Sequence, residues 1–195
     1  MGLSHFFYGV FLLSLDWIDF YHFQRDAQPL LADSKVQKIF QPLSDQVVME
    51  LYGENQRLFL NIAASHAYPG IFLSSHQGPQ PEEPTAFCML LRKHLVGSVL
   101  RNITQPDFER VLLLEFDFHG KVIKVIADFR GRRTNLLLCD GEDCLLGAQE
   151  SQSGLAKGSK FNIGEHPLPT VSAGDYDELY IQSDKSGLLN IDLEK

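Results

Sequence analysis

A chain of 195 residues is long enough to bury a core, and 44% hydrophobic with 22% charged residues excludes wholesale disorder. Three cysteines exclude a disulfide framework and point to a reducing, cytoplasmic setting. The formal net charge of −8 argues against a nucleic-acid partner for the chain as a whole, yet the charge is segregated. Residues 1–91 hold 4 basic and 9 acidic side chains, residues 92–133 hold 9 and 5, and residues 134–195 hold 4 and 11. One basic segment inside an acidic protein can still focus an anion onto one face.

Residues 6–15 (FFYGVFLLSL) are apolar but too short to span a bilayer. No basic residue precedes them and no small-residue cleavage site comes after, so they read first as a helix or lead-in segment packed on the core, with no membrane partner expected, and a membrane anchor is the alternative. Residues 16–31 place Trp17, Ile18, Phe20, Tyr21 and Phe23 at helical spacing, and Pro29 ends or kinks that helix. Strands are predicted over residues 35–40, 46–52 and 57–62, separated by Pro42 and by Gly53-Glu54-Asn55. Residues 78–84 (GPQPEEP) form a loop. In residues 85–95 the apolar Phe87, Leu90, Leu91 and Leu95 recur on one helical face, with Arg92 and Lys93 on others, and Gly97 closes the helix. Residues 98–105 resume as extended chain.

The most strongly specified structure lies between Arg110 and Phe129. Two β-rich runs, VLLLEFDF and KVIKVIADF, flank His119-Gly120, a linker suited to a two-residue hairpin. With those residues as the loop, Phe118 faces Lys121, Phe116 faces Ile123, Leu114 faces Val125 and Leu112 faces Ala127. Those apolar residues then share one face, as a half-buried sheet requires. Glu115 lies opposite Lys124 on the other face, a favourable charge pair. Residues 135–139 and 144–148 suggest a further hairpin around Asp140-Gly141. After Glu150 the composition turns to Ser, Gly and Lys and then acidic, so residues 1–150 read as one domain and residues 151–195 as a loosely packed tail or the start of another region. The predicted class is α+β, mainly an antiparallel β-sandwich with two helices.

The nucleophile elbow, phosphate-binding loop, dinucleotide fingerprint and zinc-helix motifs are all absent. Seven histidines are dispersed, and Cys139 and Cys144 lack a second ligand pair, so no catalytic residue, metal or cofactor is expected. The hairpin register instead gathers chemistry at one end. Arg110 lies across from Phe129 and Glu109 across from Arg130, which delivers Glu109, Arg110, Arg130, Arg132 and Arg133 to one sheet edge. Gly131 permits a tight backbone there, and Thr134 and Asn135 add neutral donors and acceptors. Arginine's planar fork suits phosphates and unpaired bases, as in single-stranded and looped RNA. A solvated strand end with a Glu109–Arg ion pair is the plain alternative. Arg92-Lys93-His94 reads either as a solvated helix face or as a second phosphate contact.

Three stretches in this order, residues 35–42 (KVQKIFQP), 86–97 (AFCMLLRKHLVG) and 131–140 (GRRTNLLLCD), resemble the N-terminal domain of the NFACT family. That family takes in the bacterial RqcH or FbpA-type proteins and eukaryotic NEMF. Residues 61–74 are more loosely similar, and the resemblance covers about residues 15–150. It implies a fold like the N-terminal β-sandwich domain of formamidopyrimidine-type DNA glycosylases. It also implies a role on the large ribosomal subunit, where full-length members bind an obstructed peptidyl-tRNA complex and recruit tRNA for C-terminal alanine tailing. The family's acidic-Arg motif falls on Glu109-Arg110, where Asp is usual, and its Gly-Arg-His motif on Gly131-Arg132-Arg133, where His is usual.

The expected function is therefore an RNA-binding module of ribosome-associated quality control, with tRNA and the large subunit as partners. Its expected contacts are Glu109, Arg110, Arg130, Gly131, Arg132, Arg133 and Asn135, with Arg92 and Lys93. The residues after Glu150 are too few for the family's helix-hairpin-helix, coiled coil and C-terminal RNA-binding domain, so tailing by this chain alone is not expected. Met1-Gly2-Leu3 stands where a glycosylase would have Pro-Glu, so DNA chemistry is not expected either. A fibronectin-binding type of protein-binding module and a truncated, inactive remnant are the other readings.

Overall fold

The computed structural model describes residues 16–76, 83–130, 134–152 and 155–163. The apolar run at 6–15, most of the Pro-rich loop, residues 131–133 and the acidic stretch beyond 163 lie outside the described residues.

Helix α1 spans Trp17–Leu31. Asp16 caps it in a reciprocal box with Asp19, which satisfies amides that the first turn leaves without intrahelical partners. Pro29 sits in the last turn, and the chain leaves the helix at Ala32. Phe20, Ala27 and Leu31 form its buried face. Helix α2, Ala86–Leu95, starts at Thr85, whose hydroxyl accepts from the Cys88 amide at 3.1 Å. It ends where Gly97 takes a φ of +90°.

The strands are β1 (Lys35–Leu43), β2 (Gln46–Gly53), β3 (Gln56–Ala63), β4 (Gly70–Ser74), β5 (Val99–Thr104), β6 (Val111–Phe118), β7 (Lys121–Asp128), β8 (Asn135–Asp140) and β9 (Leu145–Ala148). They form one antiparallel sheet in the order β4-β3-β2-β1-β5-β6-β7-β8-β9. The sheet is two meanders, β1–β4 and β5–β9, connected through α2 and meeting where Lys35 pairs with Val99. Beyond Val36 the two meanders diverge, and α2 fills the wedge. The halves fold towards each other. Helix α1 touches both the edge strand β4 and the central β5 and β6, and Gln149 after β9 reaches the carbonyl of Ala64 after β3 at 3.5 Å. One core cluster accordingly joins residues of both helices with β1 to β8. The expected α+β antiparallel class holds, its two layers being parts of one continuous sheet.

The β6–β7 hairpin has the register that its alternation dictates, with Leu112, Leu114, Phe116 and Phe118 opposite Ala127, Val125, Ile123 and Lys121. His119 and Gly120 both take positive φ, 54° and 80°, as a primed turn demands. The cross-strand charge pair is replaced, however. Lys124 Nζ lies 2.7 Å from Asp143, and Glu115 instead accepts from Asn102 Nδ2 at 3.4 Å. The hairpin's second face is also half covered. Leu155, Phe161 and Ile163, assigned to the tail on composition, pack against Val111, Ile126, Leu137, Cys139 and Leu145. The strand β4 carries no alternation signal and arises from pairing alone, with Leu60 opposite Leu73 and Ile62 opposite Ile71.

Candidate nucleic-acid interface

The corner is assembled from α1, the segment before β6 and the end of β7. The Phe129 amide donates to the Arg110 carbonyl at 2.8 Å, extending the hairpin ladder one step beyond Val111–Asp128. Pro106–Phe108 form a tight turn closed by Glu109 N to Pro106 O at 2.8 Å. Asp107 and Phe108 both lie in the left-handed region, at φ 46° and 54°, which costs energy for non-glycine residues. Two contacts hold that turn. The Trp17 and Phe108 rings meet edge-on at 5.6 Å, and Gln105 Nε2 donates to the carbonyls of Trp17 and Glu109, both at 2.8 Å. Behind them, Phe20 of α1 packs on Phe129 at 4.9 Å.

The two described arginines of the corner play opposite parts. Arg130 is fully engaged: Nε and Nη2 donate to the two carboxylate oxygens of Asp128 at 3.0 and 2.8 Å, and Nη1 donates to the Ile163 carbonyl at 2.7 Å. Those hydrogen bonds hold its pKa above the ordinary value against the opposing effect of burial, with the charges of Asp128 and Glu109 adding. Asp128, 3% exposed, also accepts from the Arg130 amide at 3.0 Å. It is a second carboxylate at the corner, one that strand alternation does not single out. The Asp-x-Arg spacing across Phe129 is the local sign of it.

The Arg110 side chain makes no hydrogen bond or ion pair among the described residues, and its Nε is buried without a partner there. Glu109 likewise has no ion pair among them, so the expected Glu109–Arg contact is an influence at a distance. Asn135, 1% exposed, is a structural clamp: Nδ2 donates to the Glu150 carbonyl at 2.8 Å, and Oδ1 accepts from the Leu136 and Glu150 amides at 2.9 and 3.0 Å. Thr134 is buried too. Gly131, Arg132 and Arg133 lie outside the described residues.

The fold does not bring Arg92 and Lys93 to this corner. The chain leaves α2 and enters β5, whose first residue Val99 pairs with Asp117 beside the His119-Gly120 turn. Arg110 is at the opposite end of β6, about 20 Å away at ~3.4 Å per residue. Arg92 Nε donates to the Ile39 carbonyl at 2.8 Å, and Lys93 is exposed.

The thiols are quiet. Burial pushes Cys88 up, against the opposing pull of Arg92, and burial with Asp143 and Asp140 pushes Cys139 up to about 12. Among the described residues no group of three or more His, Cys, Asp or Glu could hold a metal ion. Neither is any helix among them long and apolar enough to cross a membrane.

Comparison with known proteins agrees on one lineage. The family described as NFACT N-terminal and middle domains matches residues 16–152. The Rqc2 homolog RqcH of Bacillus subtilis (strain 168) is 27% identical over 138 residues, covering 67% of this chain and 24% of that protein. The archaeal Rqc2 homolog aRqcH of Methanocaldococcus jannaschii is 30% identical over 94 residues, covering 48% of this chain and 13% of its own. The chain thus spans about a quarter or less of the length of these curated relatives. Among solved structures, the N-terminal domain of the fibronectin-binding protein PavA from Streptococcus pneumoniae superposes with a TM-score of 0.74 at 23% identity, covering 86% of this chain and 69% of that one. The N-terminal part of the fibronectin/fibrinogen-binding protein from Streptococcus suis gives 0.74 at 24%, covering 85% and 68%. At those identities the structures establish the fold. The chain, matched over residues 16–152 by the N-terminal and middle domains, belongs to the NFACT family.

Proposed function

We propose that this chain is a non-catalytic, cytoplasmic RNA-binding module of ribosome-associated quality control, acting on tRNA and the large ribosomal subunit through the Arg110 corner. One observation carries the reading. Of the two arginines described there, Arg130 is neutralised by Asp128 while Arg110 has no partner among the described residues, so Arg110 is the guanidinium with donors to spend on a phosphate or base edge. The kinship with proteins named Rqc2 homologs supplies the biological setting. In the sequence, Arg132 and Arg133 follow Arg130 after the single residue Gly131, and they add two further basic residues to this stretch of the chain.

Co-sedimentation with large subunits and titration with tRNA test the proposal. The parent protein is expected to bind with an affinity that falls steeply with salt, by counterion release. An Arg110→Ala, Arg132→Ala double variant is expected to lose most of that binding and to show a shallower salt slope. Equal binding by parent and variant would remove the corner from the interface. The two solved neighbours titled as fibronectin-binding proteins favour a second reading, a protein-binding module. Fibronectin capture that survives the double variant, without tRNA binding by the parent, would select it.

A further inference from the structure

A second surface lies at the other end of the molecule's central hairpin, where the two meanders part. β1 pairs with β5 at Lys35–Val99, and a register shift at Gln37 marks where it turns away. α2 lies along the opening. Between them is a concavity of about 510 Å³ lined by Gln37, Lys38, Ile39, Phe40, Met89, Arg92, Lys93 and Val96. That volume falls in the roughly 300–1,000 Å³ range of ligand clefts.

The lining divides cleanly. Ile39, Phe40, Met89 and Val96 supply an apolar floor, with Met89 51% and Val96 38% exposed. Lys38, Arg92 and Lys93 supply three cations, and no carboxylate lines the groove among the described residues. Glu50, which pairs with Lys38 across β1 and β2, is instead engaged by Arg57 at 3.1 Å. Neither Lys38 nor Lys93 has an ion pair among the described residues. Arg92 is pre-set: the Ile39 carbonyl takes its Nε at 2.8 Å and Met89 Sδ lies 3.9 Å from Nη1. His94 next door is held below its ordinary pKa by burial first and then by the charges of Lys93 and Lys157.

From these features we infer that the β1–α2 groove is a docking site for an acidic peptide segment that inserts one large apolar side chain. Charge complementarity selects the flanks of the ligand, since three unpaired or half-spent cations in a chain of net −8 favour carboxylates. The floor selects against nucleic acid. Bases stack best on an open aromatic plane, and Phe40, the one aromatic among the described lining residues, is 6% exposed, while the Arg92 guanidinium has its Nε tied to the Ile39 carbonyl. Methionine and aliphatic groups instead make an adaptable surface for an inserted side chain. The site does not depend on RNA binding at the corner, because Arg110 is at the far end of β6.

The test uses the full chain labelled with ¹³C at the methionine methyls. Met49 is fully buried in the core and serves as the internal control for Met89. Three probes are titrated: the peptide Glu-Asp-Phe-Glu-Asp blocked at both ends, its Phe→Ser version, and a uridine oligoribonucleotide. The first peptide is expected to shift the Met89 resonance saturably and leave Met49 in place. The Phe→Ser peptide, and a Lys38→Glu, Lys93→Glu double variant of the protein, are each expected to weaken that binding about tenfold or more. An unmoved Met89 resonance, undiminished binding by the double variant, or a shift produced by the oligoribonucleotide and not by the peptide would each overturn the proposal. Both lysines are exposed, and an unchanged Met49 resonance in the variant reports that its fold is intact.

Discussion

Arg110 and Arg130 are one hairpin step apart and have opposite energetic roles. Removing Arg130 strands the buried Asp128 carboxylate, which loses a two-pronged partner, and breaks the tie to Ile163. Arg130→Ala is therefore expected to destabilise the domain by about 3 kcal/mol, the low end for breaking a buried ion pair because Arg130 retains some exposure. Arg110→Ala deletes a donor that has no partner among the described residues and is expected to change stability by less than about 1 kcal/mol. Urea unfolding of the two variants side by side checks the contrast. Equal losses would refute this division of roles.

His94 gives a pH test at the same scale. Burial, then Lys93 and Lys157, lower its pKa from the ordinary 6.5. The unfolded chain therefore binds this proton more readily than the folded one. Stability from the neutral ring is complete above about pH 6.5 and falls as pH drops through the window below it. Proton-detected titration should place the His94 midpoint below 6.5, the ordinary value, and Lys93→Gln should move it upward. A midpoint unaffected by Lys93→Gln would show that the lysine's charge is screened by solvent.

Among the elements, the β6–β7 hairpin shows what short-range chemistry can decide. Its register comes from alternation and from a two-residue loop, and the expected backbone pairs from Leu112–Ala127 to Phe118–Lys121 meet. Gly120 is the position where the turn depends on one residue type: its φ is +80°, and an added Cβ would meet nothing within 4 Å. Gly120→Ala is thus a purely conformational change, expected to cost about 1 kcal/mol in thermal or urea unfolding. A loss several times larger would mean the loop makes contacts that its open surroundings do not show. The helices were equally legible, because their apolar residues recur at helical spacing. The charge partners were not. Lys124 is claimed by Asp143 from the next hairpin and Asn135 by the Glu150 backbone, choices that depend on strands remote in sequence.

For the whole molecule, α1 is the element that ties the corner to the core. Phe20 is fully buried against Phe129, one residue from Arg130, and Trp17 closes over the strained Asp107-Phe108 turn. Phe20→Ala is expected to cost about 3–5 kcal/mol, the usual range for truncating a core aromatic. It is also expected to weaken tRNA binding more than an equally destabilising change in the β2–β3 region, because the turn before Arg110 loses its support. Calorimetry on a matched pair, Phe20→Ala and Leu60→Ala, with tRNA titration of both below their unfolding temperatures, separates stability from site geometry. Identical tRNA affinities in the two would disconnect α1 from the corner.

The local elements were decided by the sequence: both helices, most strands, the hairpin register and the gathering of Glu109, Arg110 and Arg130 at one end. Each rests on spacing or turn chemistry between residues close together in the chain. Only the tertiary structure decided which of those charged groups are spent. Asp128 consumes Arg130, Glu150 consumes Asn135, and the parting of β1 from β5 carries Arg92 and Lys93 away from the corner and lines a separate groove with them. The reason is physical: a hydrogen bond is settled by whichever partner the fold brings within about 3 Å, and alternation along a strand carries no information about neighbours from elsewhere in the chain.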